Sequence, residues 1–143
     1  MLDALHQEHL NIARLLDILR QTLFAIRSEQ PVRYSLMRDV LCYLSEVADQ
    51  QHHPREDLIY DYYLKYRCDD AQLKERLKVE HKAVASAGKE LREMVDMILM
   101  DAVIPLDQLV SKLEAFIVLQ QSHMDFEEGE LFPELRQALN EDD

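Results

Sequence analysis

Residues 106–135 read LDQLVSKLEAFIVLQQSHMDFEEGELFPEL. Along them one set of residues recurs at steps of three and four: Leu109, Leu113, Phe116, Gln120, His123, Glu127, Leu131 and Leu135. Such steps follow the helical period, so these residues share one face of a helix. The face is apolar at both ends, and His123 and Glu127 interrupt it. A carboxylate on a core face is costly unless it is paired, protonated or bound to a cation. The helix is therefore easy to read, and its interruption needs a chemical reason.

The same pattern recurs three times upstream. Segment one carries Leu2, Leu5, His9, Ile12, Leu16, Leu19, Leu23 and Ile26. Segment two carries Met37, Leu41, Leu44, Ala48, His52, Glu56, Ile59 and Tyr63. Segment three carries Leu73, Leu77, His81, Val84, Gly88, Leu91, Val95 and Ile98. Short breaks separate the segments at Ser28-Glu29-Gln30-Pro31, around Arg67-Cys68-Asp69-Asp70, and at Asp101-Ala102-Val103-Ile104-Pro105. An Asp at the second break can cap the following helix. Pro105 suits a first helical position. Short breaks make consecutive helices antiparallel neighbours, so the expected fold is an all-α, up-down-up-down four-helix bundle. The whole chain, 1–143, reads as a single domain.

Composition agrees. There are 143 residues, of which 48% are hydrophobic, with only 2 Gly and 4 Pro, too few turn-makers for a many-stranded sandwich or barrel. With 16 basic and 28 acidic side chains the net charge is −12. That excludes the basic footprint of a nucleic-acid binder and disfavours an anionic membrane surface. No apolar run has transmembrane length, and the N-terminal residues lack signal-peptide character. Cys42 and Cys68 are too far apart for a Cys-x-x-Cys site, so two reduced structural thiols in a cytoplasmic protein are expected. Met94, Met97 and Met100 read as gap-fillers of the bundle.

The interruptions fall at one height. Glu56 lies about 12 residues before the second break and His81 about 11 after it, or roughly 18 and 17 Å at a rise of about 1.5 Å per residue. The third connection matches equally well, and the first to within about two residues. The spacing also repeats: His9 precedes His52 by 43 residues and His81 precedes His123 by 42. Each second His is followed four residues later by Glu, which puts both on one helix face. His9, His52, Glu56, His81, His123 and Glu127 are thus the candidate metal ligands, four imidazoles and two carboxylates suited to a pair of transition-metal ions. The alternative is four core histidines satisfied by the two carboxylates.

Neighbouring residues carry weaker signals. His6 and His53 fall off the stripes and read as rim or surface residues, with a ligand role as the alternative; His53 could compete with His52, because a proline distorts the helix here. Glu8, Asp57, Glu80 and Glu128 each sit beside a candidate ligand, either as solvated surface or as groups orienting the imidazoles. Tyr60 reads as a core tyrosine with a bonded hydroxyl, with a role as ligand, donor or gate as the alternative. Pro54 removes a backbone donor, and Gly129 and Pro133 are expected to bend the last helix.

The ordered motifs are Glu8-His9, His52-His53-Pro54-Arg55-Glu56-Asp57, Glu80-His81, and the run from His123 through Glu127 to Pro133. Together they resemble the hemerythrin-like, or HHE cation-binding, family. The resemblance implies a non-haem di-iron centre of two iron ions bridged by carboxylates, with zinc or manganese as other possible occupants. Oxygen-carrying members have His-x-x-x-His on the third helix and end in His-x-x-x-x-Asp. Here His81 has Leu77 and Ala85 at four residues, and the last pair is His123-x-x-x-Glu127. The implied function is therefore binding or sensing of oxygen, peroxide or nitric oxide, or iron buffering, rather than oxygen transport. The alternatives are a di-iron peroxidase or oxidase and a zinc-stabilised structural or adaptor bundle. The implied partner is a small diatomic or peroxide ligand, and the sequence names no protein partner.

Overall fold

A computed structural model describes the backbone of residues 2–46, 52–66 and 71–140, and their side chains except those of 2, 63–66, 71–74, 134 and 138–140. Among the described residues every regular element is helical. The elements are α1 (Leu2–Arg27), α2 (Tyr34–Leu44), α3 (His53–Tyr66), α4 (Ala71–Leu99), α5 (Leu106–Phe126), a wide π turn over Glu127–Leu131, and α6 (Phe132–Asn140). The expected cap at Asp69 or Asp70, Ala48 and Cys68 lie outside the described residues. Cys42 is a free, half-buried thiol.

Two breaks are built alike. After α1, Gln30 N–H donates to the Ala25 carbonyl at 2.8 Å, and after α4, Ala102 N–H donates to Met97 at 2.9 Å. Each bond spans five residues and closes a helix C-terminus through a left-handed residue, Glu29 at φ 57° and Asp101 at φ 65°. Such positions favour glycine, which this chain does not place there. A proline then follows each turn. Pro105 precedes the first residue of α5 rather than being it.

The long helices pair in opposite directions. Arg20 reaches Gln121 at 2.9 Å and Arg27 reaches Glu114 at 2.5 Å, so α1 runs against α5. Glu80 contacts His123 and Glu90 contacts Lys112, so α4 also runs against α5. These pairs hold a large apolar cluster of Ile12, Leu16, Leu19, Leu23, Met37, Leu41, Leu44, Val84, Leu91, Val95, Leu109, Leu113 and Phe116 with their neighbours. A second, smaller cluster joins Leu5, Tyr60, Leu77, Leu131, Phe132 and Leu135. Leu5 and Ile12 flank His9 on α1, and Leu77 and Val84 flank His81 on α4. The polar layer therefore lies between two apolar ones. Met97 and Met100 are exposed and fill no core gap, because the stripe of α4 runs through Leu91 and Val95 instead.

Two irregular turns set the register of this layer. At His52, beside α3, the backbone adopts the same wide geometry as at residues 45–46. The buried set of α3 is His53, Glu56 and Tyr60, with Ile59 only half-buried. The stripe thus changes phase by one residue at His52-His53, and a single unbroken register through Ile59 does not hold. Pro54, which cannot donate a backbone hydrogen bond, follows directly. In the last helix the Phe132 N–H donates to the Glu127 carbonyl, and Pro133 has no N–H for Gly129. The helix widens over these residues as a π turn.

Candidate metal centre

Eight polar or charged side chains are buried among the described residues, and seven of them form one cluster: His9, His52, His53, Glu56, His81, His123 and Glu127. Every residue expected as a ligand from the sequence is in it. α1 supplies His9, the wide turn His52, α3 His53 and Glu56, α4 His81, α5 His123 and the π turn Glu127. Neighbouring imidazoles meet edge to face, at 4.6 Å between ring centroids for His9 and His52 and 4.7 Å for His81 and His123.

The inward edges are Nε2 atoms and carboxylate oxygens. His52 Nε2 is 3.0 Å from Glu56 Oε1, and His9 Nε2 is 3.5 and 3.6 Å from Glu56 and Glu127 Oε2. His81 Nε2 is 3.8 Å from Oε1 of both carboxylates. His123 Nε2 is in direct contact with Glu127 Oε1. Five of these buried atoms have no hydrogen-bond partner: Nε2 of His52, His81 and His123, and Oε1 of Glu56 and Glu127.

The outward edges explain why. Glu128 Oε1 lies 2.7 Å from His9 Nδ1, Glu80 Oε2 lies 2.7 Å from His123 Nδ1, and Glu8 Oε2 touches His52 Nδ1. Asp57 Oδ1 is 2.9 Å from His81 Nδ1, close but out of line for a hydrogen bond. Four imidazoles thus each face a carboxylate with Nδ1. With the proton on Nδ1, as an acceptor there requires, Nε2 presents a lone pair inward. Glu8 is further held by Arg55 at 2.7 Å, and Glu80 by Arg76 at 3.0 Å. Of the two readings open for Glu8, Asp57, Glu80 and Glu128, the structure favours orientation of the imidazoles.

Tyr60 is buried, and its hydroxyl lies 2.8 Å from Glu56 Oε2 and 2.5 Å from Glu127 Oε2. One phenol proton cannot satisfy both oxygens at once. The hydroxyl draws the Oε2 atoms to one side and leaves the Oε1 atoms facing the histidines. Burial, then the neighbouring Glu56 carboxylate, pushes the Tyr60 pKa up, so the phenol stays protonated as a donor.

Electrostatics follow the same layout. Burial pushes the His53 pKa down to about 2, reinforced by His81, so this ring is neutral. Burial and then His81 also lower His123. Burial works against an ionised Glu56, yet the adjacent imidazoles of His52 and His9 outweigh it and hold the carboxyl well below its usual range. Burial likewise opposes charge on His9, but Glu56 and Glu128 prevail and raise its pKa.

The donors divide into two groups, each with ligand atoms within 4.8 Å of one another: His9, His52, Glu56 and Glu127, and His53, Glu56, His81 and His123. Glu56 belongs to both. Neutral imidazole nitrogens and carboxylate oxygens aimed at each other are acceptors facing acceptors, an arrangement that cations relieve. The donor set therefore fits transition-metal ions.

One expectation is corrected. His53 is not at the rim: it is buried and stacks on His81 with ring centroids 4.1 Å apart. Beside the wide turn at His52, both consecutive rings turn inward and are buried. The only sequence signal of this was Pro54. His6 does lie on the exposed side, with Nδ1 2.9 Å from Glu128 Oε1.

Searches of curated proteins and of solved structures found no match. The sequence model described as the hemerythrin HHE cation binding domain matches residues 1–135, nearly the whole chain. With that match and a buried layer of histidines and glutamates able to hold metal, the chain belongs to the hemerythrin HHE cation-binding domain family.

Proposed function

We propose that this protein holds a non-haem di-iron centre between its two apolar clusters and uses it to bind or sense a small oxidant or diatomic molecule: oxygen, peroxide or nitric oxide. The observation that carries the reading is the set of five buried atoms, three Nε2 and two Oε1, that face one another and have no hydrogen-bond partner. Its residue assignment is His9, His52, Glu127 and the shared Glu56 for one ion, and His53, His81, His123 and Glu56 for the other. The fold that goes with it is the up-down-up-down bundle, with α2 and α3 as one leg and residues 1–143 as one domain.

Two ions offer roughly ten to twelve coordination positions when five- or six-coordinate, more than seven side chains fill. The remaining positions are where a small molecule would bind. Bound iron would supply reversible one-electron chemistry and affinity for such ligands. The chain's own contribution is to fix the tautomers through Glu8, Glu80 and Glu128, to donate the Tyr60 proton to the carboxylates, and to exclude bulk water with apolar layers. Free Cys42 and the need to keep iron reducible both suit a cytoplasmic setting.

The test is metal analysis after expression in iron-replete cells, followed by an anaerobic-to-aerobic absorbance titration. Two irons per chain and a change in visible absorbance without turnover are expected. One ion or none overturns the di-metal reading. Consumption of peroxide with turnover makes the protein a peroxidase or oxidase, and colourless stoichiometric zinc makes the site structural.

A further inference from the structure

The eighth buried polar side chain is Gln120, only 1% exposed, with its amide nitrogen lacking any hydrogen-bond partner. Among the described residues it is the one buried polar group outside the cluster of histidines and glutamates. Its height is fixed by its neighbours. It lies one turn before His123 on the same face of α5. One turn beyond it, the Phe116 ring fills the space left by Gly88, approaching to 3.2 Å of where a Cβ would stand. Gly88 is seven residues after His81 and Phe116 seven before His123, so the two helices are in register here. Among the described residues, the turn directly above the histidines accordingly contains Ile12 from α1, Val84 from α4 and Gln120 from α5, all buried.

Two of these three residues are aliphatic, and the third carries two N–H donors with no acceptor. A buried amide left this way is destabilising, and a leucine or methionine would fill the same volume without that cost. The groups below it are acceptors, which bind cations and leave a donor above them unused. A donor in an apolar roof over a metal centre fits an acceptor atom that arrives with the exogenous ligand.

We infer that Gln120 is a specificity-determining residue for the small ligand: its Nε2–H donates to the outer atom of a diatomic or triatomic acceptor lodged between the centre and the Ile12–Val84 layer. The inference rests on the metal-binding reading above. It favours ligands with a lone pair on the atom remote from the metal, and it excludes larger ones, because Phe116 occupies the next turn. Gln120 does not hold the metal, and it does not support the fold.

The test uses the iron-loaded full chain, azide as the probe, and the variants Gln120→Met and Gln120→Leu. Iron content is measured first, then azide affinity by visible absorbance, then melting of the metal-free proteins. The expected result is unchanged iron content, azide affinity reduced about 2- to 10-fold, the factor of one net hydrogen bond, and a metal-free melting temperature equal to or above wild type. Unchanged azide affinity in both iron-loaded variants overturns the inference. So does a clear drop in the metal-free melting temperature of both, which would make Gln120 a structural group. If the wild type itself takes up no iron, the metal reading fails first and is recognised as such by the iron analysis.

Discussion

At the scale of single residues, the candidate centre consists of inward ligand atoms that a cation would relieve and outer carboxylates that accept from the imidazoles and so aim them. Glu56 belongs to both donor groups and Glu127 to one. Glu56→Ala is therefore expected to lose both ions, and Glu127→Ala, whose carboxylate faces His9, His81 and His123, to lose metal as well, while the exposed control Glu75→Ala keeps full metal content by elemental analysis. His53→Ala is expected to lower occupancy toward one ion per chain, and His6→Ala to leave it unchanged. Equal retention in His53→Ala and His6→Ala would return His53 to a packing role. Glu80 acts through His123, so Glu80→Ala should reduce metal affinity about 10- to 100-fold in a competitive chelator titration, with helical content intact. Tyr60→Phe removes the one proton shared by two buried carboxylates. It should destabilise the metal-free protein by about 1–3 kcal/mol in urea unfolding.

At the scale of elements, close packing of α4 on α5 sets the height of the histidines. Gly88 is where the two helices meet through Phe116, and no bulky side chain fits between them. Gly88→Leu is expected to cost about 1–3 kcal/mol by overpacking. Because the site lies only two turns away, it should also lower metal affinity while the far-ultraviolet circular dichroism stays helical. Unchanged stability and affinity would mean that Phe116 swings aside freely. The two wide turns serve a different end. Each lies where consecutive residues both take part in the site: His52 with His53, and Glu127 with Glu128. A π turn takes in one more residue than an α turn, so it shifts the register of the side chains that follow it.

At the scale of the whole molecule, the polar layer divides the hydrophobic core in two, and its seven buried polar side chains weaken the bundle until they are compensated. Ions that bind the native state and not the unfolded one stabilise it by mass action. Stripping metal with a chelator is expected to lower the melting temperature while leaving the helical signal largely in place, since the candidate ligands belong to neither apolar cluster. Loss of most helix on stripping would show that the apolar clusters alone cannot hold the chain. Among the described residues no helix is long and apolar enough to cross a membrane.

The helical stripes, the breaks after α1 and α4 and six candidate ligands were legible in the sequence because period and height are local, additive properties of a helix; the interruptions that split four expected helices into six among the described residues were not. His9, His52, Glu56, His81, His123 and Glu127 could be placed at one level by counting residues, and the structure does bring them together. Counting assumes an unbroken register, and there it stopped. How the segment around Pro54 packs against α4 decides which rings turn inward, so the sequence left His53 only as an alternative ligand and placed the stripe on Ile59 where Tyr60 is the buried residue. The roles of Glu8, Asp57, Glu80 and Glu128 were open for a related reason: each contacts a histidine on another helix, and sequence proximity gave only the wrong pairing partner. Gln120 sat in the quoted stripe from the start. Only its burial without a partner, a property of all the helices packed around it, distinguishes it from an ordinary surface glutamine.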